Sequence, residues 1–155
     1  VEVSWLGIHQ VLDGGSELRK CKVLLDSSVL LQVYDGVDVI NLINEELGSC
    51  EYYVLDCIVT ELSSIVSRSY GFRGRAAALA LEYIRKYGVG VISSSSIPKC
   101  SGDESIVAFL MSSEDLRREF IVATNDDELK RELLKLGVKV ITWWASKFKY
   151  VLLYP

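Results

Sequence analysis

Residues 22–31 read K-V-L-L-D-S-S-V-L-L. Val23, Leu24 and Leu25 form an unbroken apolar run, the signature of a strand covered on both faces, as in a parallel sheet. The run ends at Asp26. Two hydroxyl residues, Ser27 and Ser28, follow before a second apolar run opens at Val29. A carboxylate in that position stands at the carboxyl end of a buried strand, aimed at the edge where parallel sheets meet their ligands.

The same handover from strand to helix recurs along the chain. Val37, Ile40, Ile43 and Leu47 repeat at helical spacing and stop at Gly48. Tyr52–Leu55 reads as a second strand, followed by a helix through Val59, Leu62, Ile65 and Val66 with Thr60 as its N-cap and Glu61 in its first turn. Arg68–Gly74 reads as a mobile basic turn. A long helix starts at Arg75 and ends at Gly88, and Val89–Ile92 is a third strand. A Ser-rich loop with Pro98 covers Ser93–Gly102, and Asp103 opens a helix carrying Ile106, Val107, Leu110 and Met111. Phe120–Ala123 is a fourth strand. The helix beginning at Asp126 and Asp127 closes at Gly137, and Val138–Thr142 is a fifth strand. Alternation of this kind predicts a three-layer α/β/α sandwich around a central, mostly parallel five-stranded sheet.

In that arrangement Asp26, Glu61, Asp103 and Asp126 converge on one edge. Each has a plain alternative explanation, because carboxylates at helix starts are favoured as caps or by the macrodipole. The joint arrangement is what points to a hard cation: an oxygen-only donor set of this kind suits Mg2+ or Mn2+ rather than zinc. The hydroxyls of Ser27 and Ser28 can fix the direction of neighbouring carboxylates, and Asn125 or Asp126 reads as the N-cap of the helix that follows. Arg68, Arg73, Arg75, Lys130 and Arg131 are the candidates to hold the phosphates of a substrate, with ordinary solvated helix charge as the alternative.

Composition bounds the rest. With 155 residues, half of them hydrophobic and a quarter charged, the chain suits one ordered domain. The net charge of −4 argues against a broad basic nucleic-acid surface. No apolar run is long enough to span a membrane, and no basic segment followed by an apolar stretch opens the sequence, so the expectation is a cytoplasmic protein with no membrane partner. The four cysteines, Cys21, Cys50, Cys57 and Cys100, form no C-x-x-C pair and are expected as buried free thiols. Rival phosphate sites are absent: there is no P-loop, no dinucleotide fingerprint and no nucleophile elbow. Ser28 stands where an aspartyl-phosphate enzyme of the haloacid-dehalogenase type needs a second aspartate.

Four blocks carry a family resemblance: K-V-L-L-D-S-S-V-L-L from Lys22, V-L-D-C-I-V-T-E-L from Val54, G-D-E-S-I from Gly102, and I-V-A-T-N-D-D-E-L-K-R-E-L from Ile121. Together they resemble a PIN domain, the metal-dependent nuclease fold, over roughly residues 21–142. The segment R-G-R-A-A-A-L-A-L-E-Y-I further resembles small archaeal PIN proteins of the ribosome-processing group, without the zinc ribbon that some of them carry. The resemblance implies that Asp26, Glu61, Asp103 and Asp126 form the family's acidic quartet, with Ser28, Thr124 and Asn125 as the polar residues that support it. It also implies hydrolysis of RNA phosphodiesters with Mg2+ or Mn2+, in RNA processing or as a toxin-type endoribonuclease. The corresponding partners are an RNA substrate and either an antitoxin or a ribosome-assembly factor. The alternatives are a catalytically inactive PIN scaffold and a metal-dependent small-molecule phosphatase. Gly102, where the family often has another small residue, reads as harmless.

The resemblance leaves both ends unexplained. Residues 1–20 read as an extension, either an extra strand or non-native sequence, with a turn at Asp13–Ser16. Residues 143–155 read as an aromatic tail. Their apolar surface predicts that the two ends pair with each other or cover a homodimer interface.

Overall fold

Val23, Leu24 and Leu25 are wholly buried in the strand at the heart of the sheet. The computed structural model describes residues 2–5, 8–11, 20–94 and 101–155. The expected turn at Asp13–Ser16 and most of the Ser-rich loop with Pro98 lie outside them. The elements are β1 (Glu2–Trp5), β2 (Ile8–Val11), β3 (Cys21–Leu25), α1 (Ser27–Leu30), α2 (Val39–Leu47), β4 (Cys50–Leu55), α3 (Asp56–Arg68), α4 (Phe72–Lys86), β5 (Gly90–Ile92), α5 (Gly102–Met111), α6 (Glu114–Glu119), β6 (Phe120–Ala123), α7 (Asp127–Lys135), β7 (Lys139–Trp144) and β8 (Lys149–Leu153).

The strands form one sheet in the order β2-β1-β5-β4-β3-β6-β7-β8. The five expected strands, β5-β4-β3-β6-β7, are its parallel centre. Helices flank the sheet, giving the three-layer α/β architecture. β1 and β2 form an antiparallel hairpin on one side, and β8 folds back antiparallel to β7 on the other. The chain moves outward one way from β3 through β4 to β5 and the opposite way through β6 to β7. The order therefore reverses at the β3–β6 pair. All four residues of β6 are buried, as befits a strand with helices on both faces.

Several local expectations are corrected. α3 starts at Asp56, directly after β4, so Thr60 is not an N-cap and Glu61 lies in the second turn. The segment expected as a basic turn is mostly helical: Arg68 closes α3 and α4 already begins at Phe72, with only residues 69–71 between them. Gly74 permits this tight connection, since a Cβ there would meet the Ser69 carbonyl oxygen, a backbone atom with no room to yield. Among the described residues, the strands of the two ends, β1–β2 and β8, lie at opposite edges of the sheet and do not pair. Tyr150 of β8 is fully buried, and its hydroxyl donates to Gln32 Oε1 at 2.6 Å, fastening the last strand to the segment just after α1.

The cysteines also differ from expectation. Parallel register sets Cys21 of β3 directly opposite Cys50 of β4, with Cα atoms 4.8 Å apart, and the two form a disulfide. Cys57 is disulfide-bonded as well. No local spacing announces the first bridge, because its partners are 29 residues apart in sequence and meet only when the sheet forms. No helix among the described residues is long and apolar enough to cross a membrane.

Candidate metal centre

The site is built where the strand order reverses. The Asp26 N–H continues the β3–β6 ladder by donating to the Ala123 carbonyl at 3.0 Å, which holds the carboxylate at the strand end. The Asp26 backbone takes the N-cap position of α1, yet its side chain makes no capping hydrogen bond. Instead Oδ2 accepts from Ser28 Oγ at 2.6 Å and from Thr124 Oγ1 at 2.8 Å. Oδ1 is buried and has no hydrogen-bond partner among the described residues. An ionised oxygen withdrawn from water is costly unless something positive compensates it.

Thr124 joins two of the acidic residues. Fully buried at the end of β6, its hydroxyl donates to Asp26 and accepts the Asp126 N–H at 3.1 Å. Asp126 caps α7, accepting the Leu129 N–H on Oδ1 at 2.8 Å. The capping explanation therefore holds for Asp126 and engages one of its two oxygens. Asn125 does something other than orient a carboxylate with its side chain. Its amide oxygen accepts the Trp143 N–H at 3.0 Å, tying the end of β6 to β7, while its own N–H donates to Ser28 Oγ at 3.0 Å.

Glu61 and Asp103 stand on a cleft of about 680 Å3, one from α3 and one from the first turn of α5. Both are open to the cleft but shielded from bulk water on their protein side. Burial, followed by the charges of Asp26, Asp126, Glu61 and Glu128, pushes the Asp103 carboxyl up to about 6. Glu61 is raised by burial and by Asp26, and Arg73 opposes the shift. These mutual effects place all four carboxylates in one electrostatic neighbourhood. With Glu61 in a second turn and Asp56 occupying the first, the macrodipole no longer accounts for a charge at position 61.

The sequence reading missed Glu128, which lines the same cleft with Glu132 one turn further along α7. Their four-residue spacing was the available signal. It also missed the Asp56 carboxylate, which accepts hydrogen bonds from the backbone and side chain of Ser94 and so ties the ends of β4 and β5 together. Gly102 is not neutral: a Cβ there would lie 3.2 Å from Glu61 Oε2.

Of the five basic candidates, Arg73 is the one whose charge acts on the acidic group. Arg68 donates to the Ser64 carbonyl within its own helix, and Arg75 is exposed on α4. Lys130 is paired with Asp127 at 2.7 Å, and Arg131 favours the ionised form of the same Asp127.

The residues present suit a hard divalent cation: the donors are carboxylate oxygens, and one buried oxygen stands unpaired. Among the described residues no group of three such side chains already stands at ligating distance, so direct ligation of an ion by three of them requires side-chain adjustment, with water completing the shell.

A parallel sheet with carboxylates gathered where its strand order reverses belongs to the α/β domains that meet their ligands at the carboxyl edge of the strands. Residues 23–144 match the family model described as a PIN like domain, which covers most of the chain, and the protein belongs to that family. PIN domains are in general nucleases, so a nuclease-type hydrolytic function is the general class that the family carries. No curated protein matches the chain.

Proposed function

We propose that this protein is a ribonuclease that hydrolyses RNA phosphodiester bonds with Mg2+ or Mn2+ held by Asp26, Asp103 and Asp126, directly or through water, and with Glu61 binding a metal-bound water or a second ion. The observation that carries the reading is the unpaired buried Oδ1 of Asp26 within a group of mutually repelling carboxylates. A divalent cation there supplies positive charge to a phosphoryl oxygen and a water of lowered pKa for in-line attack. The protein's own part is positional. Ser28 and Thr124 fix the Asp26 carboxylate through Oδ2 and leave Oδ1 available to a cation. Thr124 also holds the Asp126 backbone, so one hydroxyl ties the Asp26 carboxylate to the backbone that carries Asp126. Asp103, its carboxyl pushed up to about 6, is a group whose ionised form a cation would favour. Arg73 stands by Glu61 as a counter-charge for an incoming phosphate.

The resemblance to small archaeal ribosome-processing PIN proteins favours a role in RNA processing, with a toxin-type endoribonuclease and its antitoxin partner as the second setting. An inactive scaffold is disfavoured by the presence of all four carboxylates, and a phosphatase by the family's general activity. The disulfides fit an oxidising compartment or the cytoplasm of a hyperthermophile, which sets the condition for a cytoplasmic location. A homodimer would use the edge carrying the exposed Trp144, Phe148 and Tyr154.

Incubation of the purified protein with single-stranded and structured RNA and with a small phosphomonoester, with and without Mn2+, tests the reading. RNA cleavage that needs Mn2+ and disappears in Asp26→Asn supports it. Metal-independent cleavage, or hydrolysis of the phosphomonoester alone, contradicts it.

A further inference from the structure

The connection between α3 and α4 is short, tightly built and unusually apolar on the outside. Tyr70 is fully exposed, and Phe72, two residues on, is 70 % exposed. Neither ring belongs to the hydrophobic core. The backbone that presents them is specified by glycine. Gly71 has φ of +108°, a region that side chains rarely adopt, and Gly74 lies against the Ser69 carbonyl with no room for a Cβ. Arg68, Arg73 and Arg75 bracket the two rings, and all three are exposed. A concentration of cations and bare rings within eight residues contrasts with a chain whose net charge is −4.

The location adds to the composition. Glu61 and Arg68 lie on the same helix, seven residues apart, which is about 10 Å of helix rise. A strand that follows α3 from a scissile phosphate at Glu61 would reach the connection within a nucleotide or two. Exposed aromatic rings bind unpaired bases by stacking and are sequence-tolerant, since every base has a π-face, while arginines hold the adjoining phosphates. In a duplex the bases already stack on one another and their faces are closed to such rings.

We propose that the segment Arg68–Arg75 grips the substrate, with Tyr70 and Phe72 stacking on unpaired nucleobases and Arg68, Arg73 and Arg75 holding the adjacent phosphates, so that the ligand is single-stranded nucleic acid rather than duplex. The inference rests on the nuclease reading for its placement of the scissile phosphate, but its test is independent of cleavage.

The test is binding of the full-length protein, with metal chelated, to a short fluorescein-labelled oligouridine strand and to an RNA duplex of equal length, followed by anisotropy. Both rings are exposed, so the variant Tyr70→Ala with Phe72→Ala keeps the fold, and an unchanged melting temperature verifies this. The expected result is preference for the single strand and a loss of roughly ten- to a hundredfold in single-strand affinity in the double variant. Tyr70→Phe retains binding, because a ring without a hydroxyl still stacks. Mn2+-dependent hydrolysis of a small phosphodiester that carries no base is unaffected in the double variant. Unchanged single-strand affinity in the double variant, equal losses on strand and duplex, or no binding by the unsubstituted protein would overturn the proposal. Absence of metal-dependent cleavage beside ring-dependent binding would overturn the nuclease reading and leave this one standing.

Discussion

Thr124 Oγ1 lies 2.8 Å from Asp26 Oδ2, although the two residues are 98 positions apart in the chain. The same hydroxyl accepts the Asp126 N–H, so one buried side chain sets the direction of one carboxylate and the backbone of another. Two adjacent parallel strands, β3 and β6, make the contact possible, and the reversal of strand order between them leaves the space in front of it open.

Replacing Thr124 with valine keeps the shape and removes both bonds. The buried Asp26 oxygen loses a donor and the Asp126 N–H an acceptor. The expected cost is about 1–3 kcal/mol of stability, read by denaturant unfolding, with a larger fall in metal-dependent cleavage. Unchanged cleavage at unchanged stability would show that Thr124 does not position Asp26.

Gly102→Ala places a methyl group 3.2 Å from Glu61 Oε2. Position 102 opens α5, where alanine is a better helix former than glycine, so stability is expected to hold or rise slightly. Cleavage is expected to fall because Glu61 must shift. Steady-state rates on Gly102→Ala, Glu61→Gln and the double variant provide the check: the double variant should be little worse than Glu61→Gln alone. Fully additive losses would contradict a route through Glu61.

Burial and the neighbouring carboxylates push the Asp103 carboxyl from its ordinary 3.8 up to about 6. Between those values the folded state holds more proton than the unfolded state, so the metal-free protein loses stability as pH rises from about 4 to about 6. Asp103→Asn removes this contribution. Protons compete for the same carboxyl, so Mn2+ affinity weakens as pH falls below about 6. Melting temperatures across this range, with chelator and with Mn2+, measure both effects. A stability profile identical in the wild type and Asp103→Asn would rule out the assignment.

The Cys21–Cys50 bridge closes a span of 29 residues, for which the chain-entropy account gives about 3–4 kcal/mol of stabilisation. Cys21→Ser with Cys50→Ser is expected to lower the melting temperature accordingly. Thiol titration of the denatured, unreduced protein should find both cysteines blocked; free thiols at both positions would contradict the bridge.

Much of this architecture was legible before any coordinates. The five central strands are short apolar runs bounded by glycines and helix starts, and burial on both faces dictates that pattern wherever it occurs. The position of Asp26 at a strand end was readable because it follows such a run directly, and that of Asp126 because it stands between such a run and an amphipathic helix. The disulfide was not, because parallel register and not local spacing brings Cys21 to Cys50. The true start of α3 was also hidden: Leu55 keeps an extended backbone and Asp56 enters the helix with no capping side chain before it, so Thr60 offered a false boundary. Residues 143–155 read as a tail because the 3-10 turn at Ala145–Lys147 and the left-handed Phe148 that reverse the chain carry no glycine or proline. Asn125 was set beside the carboxylates by the family resemblance, while its side chain is engaged by the next strand.

The central claim is that Asp26 Oδ1 faces a divalent cation, and calorimetric titration with Mn2+ tests it most directly. Asp26→Asn keeps an oxygen for Ser28 and Thr124 and puts an amide nitrogen in place of Oδ1, so the fold is expected to persist, as its melting temperature would show. The account predicts that the unsubstituted protein binds Mn2+ with release of protons, and that Asp26→Asn loses most of that affinity while remaining folded. Equal Mn2+ affinity in the two folded proteins would contradict it.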